Sequence, residues 1–142
     1  MSKLIYVFLL LVMSLVKMIA QEKAVLYTTG THFIQPVKKE QWQNSNTDTF
    51  TKASYKFYNG QTYIMMISSK DAIVQLDYTA VVKKGKLQIE VINAKNEAVY
   101  KTTLKADTKN LEKLEFKADE VYHITFTGQQ TSGSYSCQWR TI

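Results

Sequence analysis

The chain has 142 residues, 45% of them hydrophobic, with a net charge of +6, one cysteine and one proline. That length suits one domain with a single core, the apolar content excludes a disordered chain, and a lone Cys137 excludes an internal disulfide. The lysines are interspersed with acidic residues, and Lys38-Lys39 and Lys83-Lys84 are the only doublets. Nucleic-acid readers concentrate charge on one face, so this spread argues against nucleic acid as partner.

The chain opens Met1-Ser2-Lys3, and Leu4 to Val16 is then apolar except for Ser14. This run is within the range of a signal-peptide core and too short to span a bilayer. Lys17 ends it, and Met18-Ile19-Ala20 places a small residue at the expected cleavage position. The prediction is a signal peptide over residues 1–20 and one domain over 21–142. The product would be secreted or periplasmic, with no membrane span after cleavage. Loss of Lys3 and Lys17 leaves a mature charge of +4. No cysteine lies near the boundary to carry a lipid. The domain must be held by packing alone, where many small exported domains use disulfides.

The remaining chain reads as strands. Ala24 to Thr29 is the first and Gly30 closes it; residues 40–49, polar apart from Trp42, read as a loop. Phe50 to Tyr58 and Gln61 to Ser68 flank Asn59-Gly60, a strong hairpin signal. Ala72 to Val82 is a long strand, and Lys83-Lys84-Gly85 reads as its turn. Lys86 to Ile92 alternates, with Leu87, Ile89 and Val91 inward. After a turn at 93–96 comes Glu97 to Leu104, then a strand carrying Leu114 and Phe116. Tyr122, Ile124 and Phe126 share one face of the next strand, Gly128 to Gly133 reads as a loop, and Tyr135, Cys137 and Trp139 share a face of the last. No segment after the signal keeps an apolar period of 3.6. About nine short strands, with alternation of period 2 and seventeen aromatic residues, predict an all-β fold: an antiparallel, jelly-roll-like β-sandwich preceded by a cleaved signal helix. Leu87, Ile89, Val91, Leu114, Phe116, Tyr122, Ile124 and Phe126 are expected to share one core.

The cadence Gly85-Lys-Leu-Gln-Ile-Glu-Val-Ile-Asn, Leu114-Glu-Phe, Val121-Tyr-His-Ile-Thr-Phe-Thr-Gly and Gly133-Ser-Tyr-Ser-Cys-Gln-Trp resembles the C-terminal half of small jelly-roll-like sandwiches of bacterial exported proteins. It is more distantly similar to the GOLD domain of secretory-pathway cargo adaptors. The chain lacks those adaptors' cysteine pair, coiled coil and C-terminal membrane helix. The resemblance implies a sandwich of non-catalytic binding character and assigns no site residue.

Chemistry-bearing residues are sparse. His32 and His123 show no metal-ligand spacing with each other or with Cys137, so neither a metal nor a cofactor is expected. Cys137, between Tyr135 and Trp139 on an inward face, reads as a small hydrophobe. The serines lack a nucleophile elbow, and Asp77 is the one carboxylate set amid an apolar strand. No catalytic residue is assigned, and the chain is not expected to be an enzyme. Aromatic platforms remain. Trp42, isolated in a polar run, is the first binding candidate, though a loop anchor would look the same. Tyr55, Phe57 and Tyr63 beside Asn59-Gly60 are weaker candidates.

The function expected is therefore an exported, non-enzymatic binding or structural module, touching a protein or glycan of the cell envelope. The alternative is an accessory subunit or inhibitor of an exported enzyme, with a site completed by another chain. A concave surface gathering two or more titratable side chains would favour the alternative.

Overall fold

A computed structural model describes residues 22–142. The predicted signal segment lies outside the described residues. Eight strands form, all paired antiparallel: β1 (Leu26–Thr28), β2 (His32–Phe33), β3 (Trp42–Asn46), β4 (Phe50–Ser68), β5 (Ala72–Ile92), β6 (Ala98–Leu104), β7 (Thr108–Phe116) and β8 (Val121–Thr141).

Three of them, β4, β5 and β8, run 19, 21 and 21 residues. Typical strands have about 5–6. Each passes through two layers. The ladder breaks between Tyr55 and Gly60 on β4, and between Val82 and Lys86 on β5. Opposite these breaks lie residues 129–132 of β8. The breaks line up, so the chain makes one corner across three neighbouring strands. Before the corner, β3, Phe50–Tyr55, Gly133–Thr141, Ala72–Val82 and β7 lie side by side as sheet A. Beyond it, β1 and β2, Gly60–Ser68, Val121–Gly128, Lys86–Ile92 and β6 form sheet B.

The two layers face each other, which makes the fold an antiparallel β-sandwich. Phe126 of sheet B stacks on Tyr135 of sheet A at 3.9 Å between ring centroids, and Phe116 of sheet A on Tyr122 of sheet B at 3.8 Å. The hydroxyls of Tyr78 and Tyr100 join the layers at 2.7 Å. Leu87, Ile89, Val91, Phe116, Tyr122, Ile124 and Phe126 are buried together as expected, and Leu114 packs against them from a half-buried position. Tyr135, Cys137 and Trp139 also point inward. Period-2 alternation carries this result, because a one-residue slip would turn every one of these side chains outward.

Four sequence expectations are corrected. Asn59-Gly60 is no hairpin, Lys83-Lys84-Gly85 no turn and Gly128 to Gly133 no loop: all three lie within continuous strands, at the corner. Residues 40–49 are not wholly loop either, since β3 pairs with β4 from Trp42↔Tyr55 to Asn46↔Thr51. The physical reason is common to the first three. A sharp bend in a strand and a turn between strands both need residues tolerant of positive φ and polar groups to replace lost ladder bonds. Phe57, Gly60, Gly85, Gln130 and Gly133 have φ of 50°, 153°, 69°, 48° and 149°. Ser132 Oγ accepts from the Phe57 amide at 3.0 Å, and Asn59 Oδ1 from the Gln130 amide at 2.6 Å. At Gly133 a Cβ would collide with the Val81 carbonyl, and at Gly85 with the Gln129 carbonyl.

Candidate functional site

Toward the middle of sheet A most outward side chains of β3, β4, β5 and β8 are short. On β8 the outward residues are Ser132, Ser134, Ser136, Gln138 and Arg140; on β5, Gln75, Asp77, Thr79 and Val81; on β4, Lys52 and Ser54; on β3, Gln43 and Ser45. This follows from the registers Ser45↔Lys52, Lys52↔Ser136 and Thr79↔Ser136. Small side chains leave the sheet surface uncovered, and three adjoining hollows lie along it. One of about 430 Å³ sits over Ser45, Ser54, Thr79, Ser134 and Ser136. It shares Gln43, Ser54 and Ser134 with a larger one of about 760 Å³ at the corner. At the far end, about 390 Å³ opens over Gln75, Asp77, Gln138 and Arg140. Together they make a trough running with the strands. From Gln75 to Val81 a strand rise of about 3.3 Å per residue gives it a length of about 20 Å before the corner.

Phe57 stands at the corner end. It is 65% exposed, the most exposed of the large hydrophobic residues described, and its φ of 50° is unusual for a bulky side chain. The bulge that bends β4 is what sets it there: strand parity would return residue 57 to the interior, as it does Tyr55. Lys84 Nζ lies 5.7 Å from the ring centroid. Such strain is retained where the surroundings over-determine it, and it clusters at binding sites.

The four aromatic candidates divide. Trp42 and Tyr55 are 7% and 4% exposed, stack on each other at 5.4 Å and belong to the core; both are among the residues lining the corner hollow, as is the exposed Phe57. Trp42 Nε1 donates to Asn44 Oδ1 at 3.2 Å. Tyr63 is elsewhere, on the outer face of sheet B. It is flanked by His32 at 4.9 Å and His123 at 5.0 Å between centroids. The His32 and Tyr63 rings are nearly parallel, 15° apart, and brace one another across the strands. The serines of the trough were missed by the sequence reading. Their signal was the run Ser132-Gly-Ser-Tyr-Ser, in which every second residue is a serine.

The geometry limits the chemistry. Both histidines belong to sheet B through His32↔Tyr63 and His123↔Met65, so no trough serine has an imidazole base beside it. Asp77 and Glu40 are the carboxylates lining the trough, at opposite ends. Asp77 and Val81, which marks the Glu40 end, are separated by about 13 Å of strand. Paired carboxylates that cleave glycosidic bonds stand closer, about 5–9.5 Å apart. The corner hollow does gather titratable groups, Glu40, Lys56, Lys83 and Lys84. That meets the condition set above for the alternative reading; the four are one acid and three cations, with no second carboxylate and no histidine among them to pair as acid and base. Among the described residues no three His, Cys, Asp or Glu side chains gather as a metal site would need, and no helix is long and apolar enough to cross a membrane. Burial, with a smaller push from the Asp77 charge, moves the Cys137 thiol up to about 12. It therefore stays protonated at neutral pH and packs as a small hydrophobe.

No protein-family model and no curated protein sequence matches the chain. Among solved structures it is similar to a point mutant of a carbohydrate-binding module of family 29, with a TM-score of 0.46 and 13% identity over 84% of this chain and 92% of that one. Another structure of a family 29 module gives 0.42 and 12%, over 84% and 90%. A GH26-CBM35 β-(1,4)-mannanase of Podospora anserina gives 0.43 and 13%, over 86% of this chain and 29% of that one. These likenesses transfer no residue and no ligand to this chain.

Proposed function

We propose that the protein is an exported, non-enzymatic module that binds a glycan chain along the outer face of sheet A. The observation that carries this reading is the trough itself: a strip of hydroxyls and amides on the central strands, ended by an exposed aromatic ring. Sugars present hydroxyls and apolar C–H faces together. A hydroxyl- and amide-lined floor matches the first, and an aromatic face the second. The length suits an oligomer better than a single sugar. A rigid sheet presents these groups with little ordering to lose on binding.

Export is part of the proposal and rests on residues 1–20 of the sequence. A domain that meets cell-envelope or extracellular polymers would need it.

Affinity electrophoresis against a panel of soluble polysaccharides tests the reading. At least one polymer should retard the protein, and Phe57→Ala should relieve the retardation by about tenfold, as loss of an aromatic anchor does. Thermal stability should be unchanged, because Phe57 is exposed. Retardation by no polymer in the panel, or retardation indifferent to Phe57, would refute the assignment.

A further inference from the structure

We infer that the trough selects anionic glycans, chains bearing carboxylate or sulfate groups. This rests on the glycan-binding reading above and adds the ligand's charge.

The side chains lining the three hollows include five cations, Lys52, Lys56, Lys83, Lys84 and Arg140, against two acids, Glu40 and Asp77. None of the five makes an ion pair among the described residues, where the single pair is Lys70 with Glu22, remote from the trough. Asp107, near the corner, accepts from the Val82 amide at 3.0 Å and makes no ion pair with any of the five. Unpaired like charges gathered on one strip repel each other and cost stability. A neutral ligand would recover none of that cost; an anionic polymer would, at several points along its length.

The cations are also placed at both ends. Lys56, Lys83 and Lys84 line the same corner hollow as Phe57, and the Lys84 ammonium leans over the ring. A sugar stacked on Phe57 would hold its acidic substituent beside the Lys84 ammonium, in a hollow that Lys56 and Lys83 also line. At the other end Arg140 is oriented from beneath. The side-chain carbonyl of the buried Gln75, in the orientation its neighbours favour, accepts from Arg140 Nε at 3.3 Å and Nη2 at 3.2 Å. A guanidinium fixed in this way keeps donors free for a bidentate acid.

The probes are polygalacturonate, the same polymer fully methyl-esterified, and chondroitin sulfate, compared by titration calorimetry. Polygalacturonate should bind about tenfold or more tightly than its ester, and added salt should erase the difference. Binding of chondroitin sulfate alone would support the same inference with sulfate as the charged group. The triple variant Lys56→Gln, Lys83→Gln, Lys84→Gln should lose about tenfold in affinity for the acidic polymer, several weak exposed contacts acting together. A control with equal charge loss elsewhere, Lys95→Gln, Lys101→Gln, Lys105→Gln, should bind as the parent does. Equal affinity for acid and ester, still sensitive to Phe57→Ala, would overturn the charge selection and leave the glycan reading standing. Equal weakening by the two triples would overturn it too, as attraction to net charge alone. Binding that ignored both Phe57→Ala and the trough lysines would overturn both readings.

Discussion

The two outer faces of this sandwich are built from the same three strands and differ in side-chain size. Beyond the corner, β4 and β8 turn Tyr63, Met65, Ile67, Val121 and His123 outward beside Gln61, Thr125 and Thr127, and Tyr63 is held between two imidazole rings. Before the corner the same strands turn out Lys52, Ser54, Ser132, Ser134 and Ser136, and the surface stays open. The inner faces differ much less: both contribute aromatic rings to a common core. Function, then, is to be sought where one strand changes its outward composition partway along, since packing demands the same of both halves.

That contrast exists only because the strands bend, so the largest expected effect is at the corner. Gly133 has φ of 149°, and a Cβ there would strike the Val81 carbonyl. Gly133→Ala should cost about 3 kcal/mol or more, from backbone strain plus overlap. Denaturant unfolding would measure the loss, or poor soluble yield would reveal it. A stable variant with unchanged unfolding would mean that the corner is softer than its ladder breaks indicate.

Giving sheet A the large outward residue that sheet B has comes next. Ser134 pairs with Ser54 on one side and Val81 on the other, mid-trough. Ser134→Tyr should block the trough and weaken glycan binding about tenfold or more, worth about 1.4 kcal/mol, while stability stays within about 0.5 kcal/mol because the site is a surface one. The reverse exchange sharpens the comparison. Tyr63→Ala should lower stability by about 1 kcal/mol through its lost cross-strand partners and leave glycan affinity unchanged. If Tyr63→Ala abolished binding while Ser134→Tyr did not, the ligand face would be sheet B.

Much of the sandwich was readable from the sequence because alternation is local. Leu87, Ile89 and Val91 announce their face without reference to any partner strand. The corner was not readable, because Asn59-Gly60 carries the same backbone signal in a bend as in a hairpin, and only pairing with β8 on the far side tells them apart. Trp42 illustrates a second limit. A tryptophan in a polar run is a platform if the run is a loop and a core residue if it is a strand. β3 forms through pairing with β4, which composition alone does not encode. The trough is legible only in retrospect: serines on alternate positions mark it, but a trough needs short residues on several adjacent strands at once.

The smallest expected effect lies beneath the corner, where the two layers meet. The hydroxyls of Tyr55 and Tyr58 and Thr131 Oγ1 are buried without hydrogen-bond partners. Thr131 lies near Tyr55, and Thr62 near Tyr58, close enough to ease their ionisation but outside hydrogen-bonding geometry; Thr62 Oγ1 is instead 3.2 Å from Tyr135 Oη. Burial pushes the Tyr58 phenol up to about 12 and raises that of Tyr55 further. A buried hydroxyl that makes no bond has lost its water and gained nothing, so removing it should relieve a cost. Tyr55→Phe keeps the ring that stacks on Trp42 and should leave stability unchanged or raise it by up to about 1 kcal/mol. Its second signature is in alkali. A phenol whose folded value lies above the usual 10.0 favours the unfolded chain as pH rises past that value. The parent should therefore lose stability above about pH 10, and Tyr55→Phe should lose less. Unfolding midpoints of parent and variant at neutral and alkaline pH read both effects. A clear destabilisation of Tyr55→Phe at neutral pH would show that its hydroxyl has a partner in solution, most simply a buried water shared with Thr131.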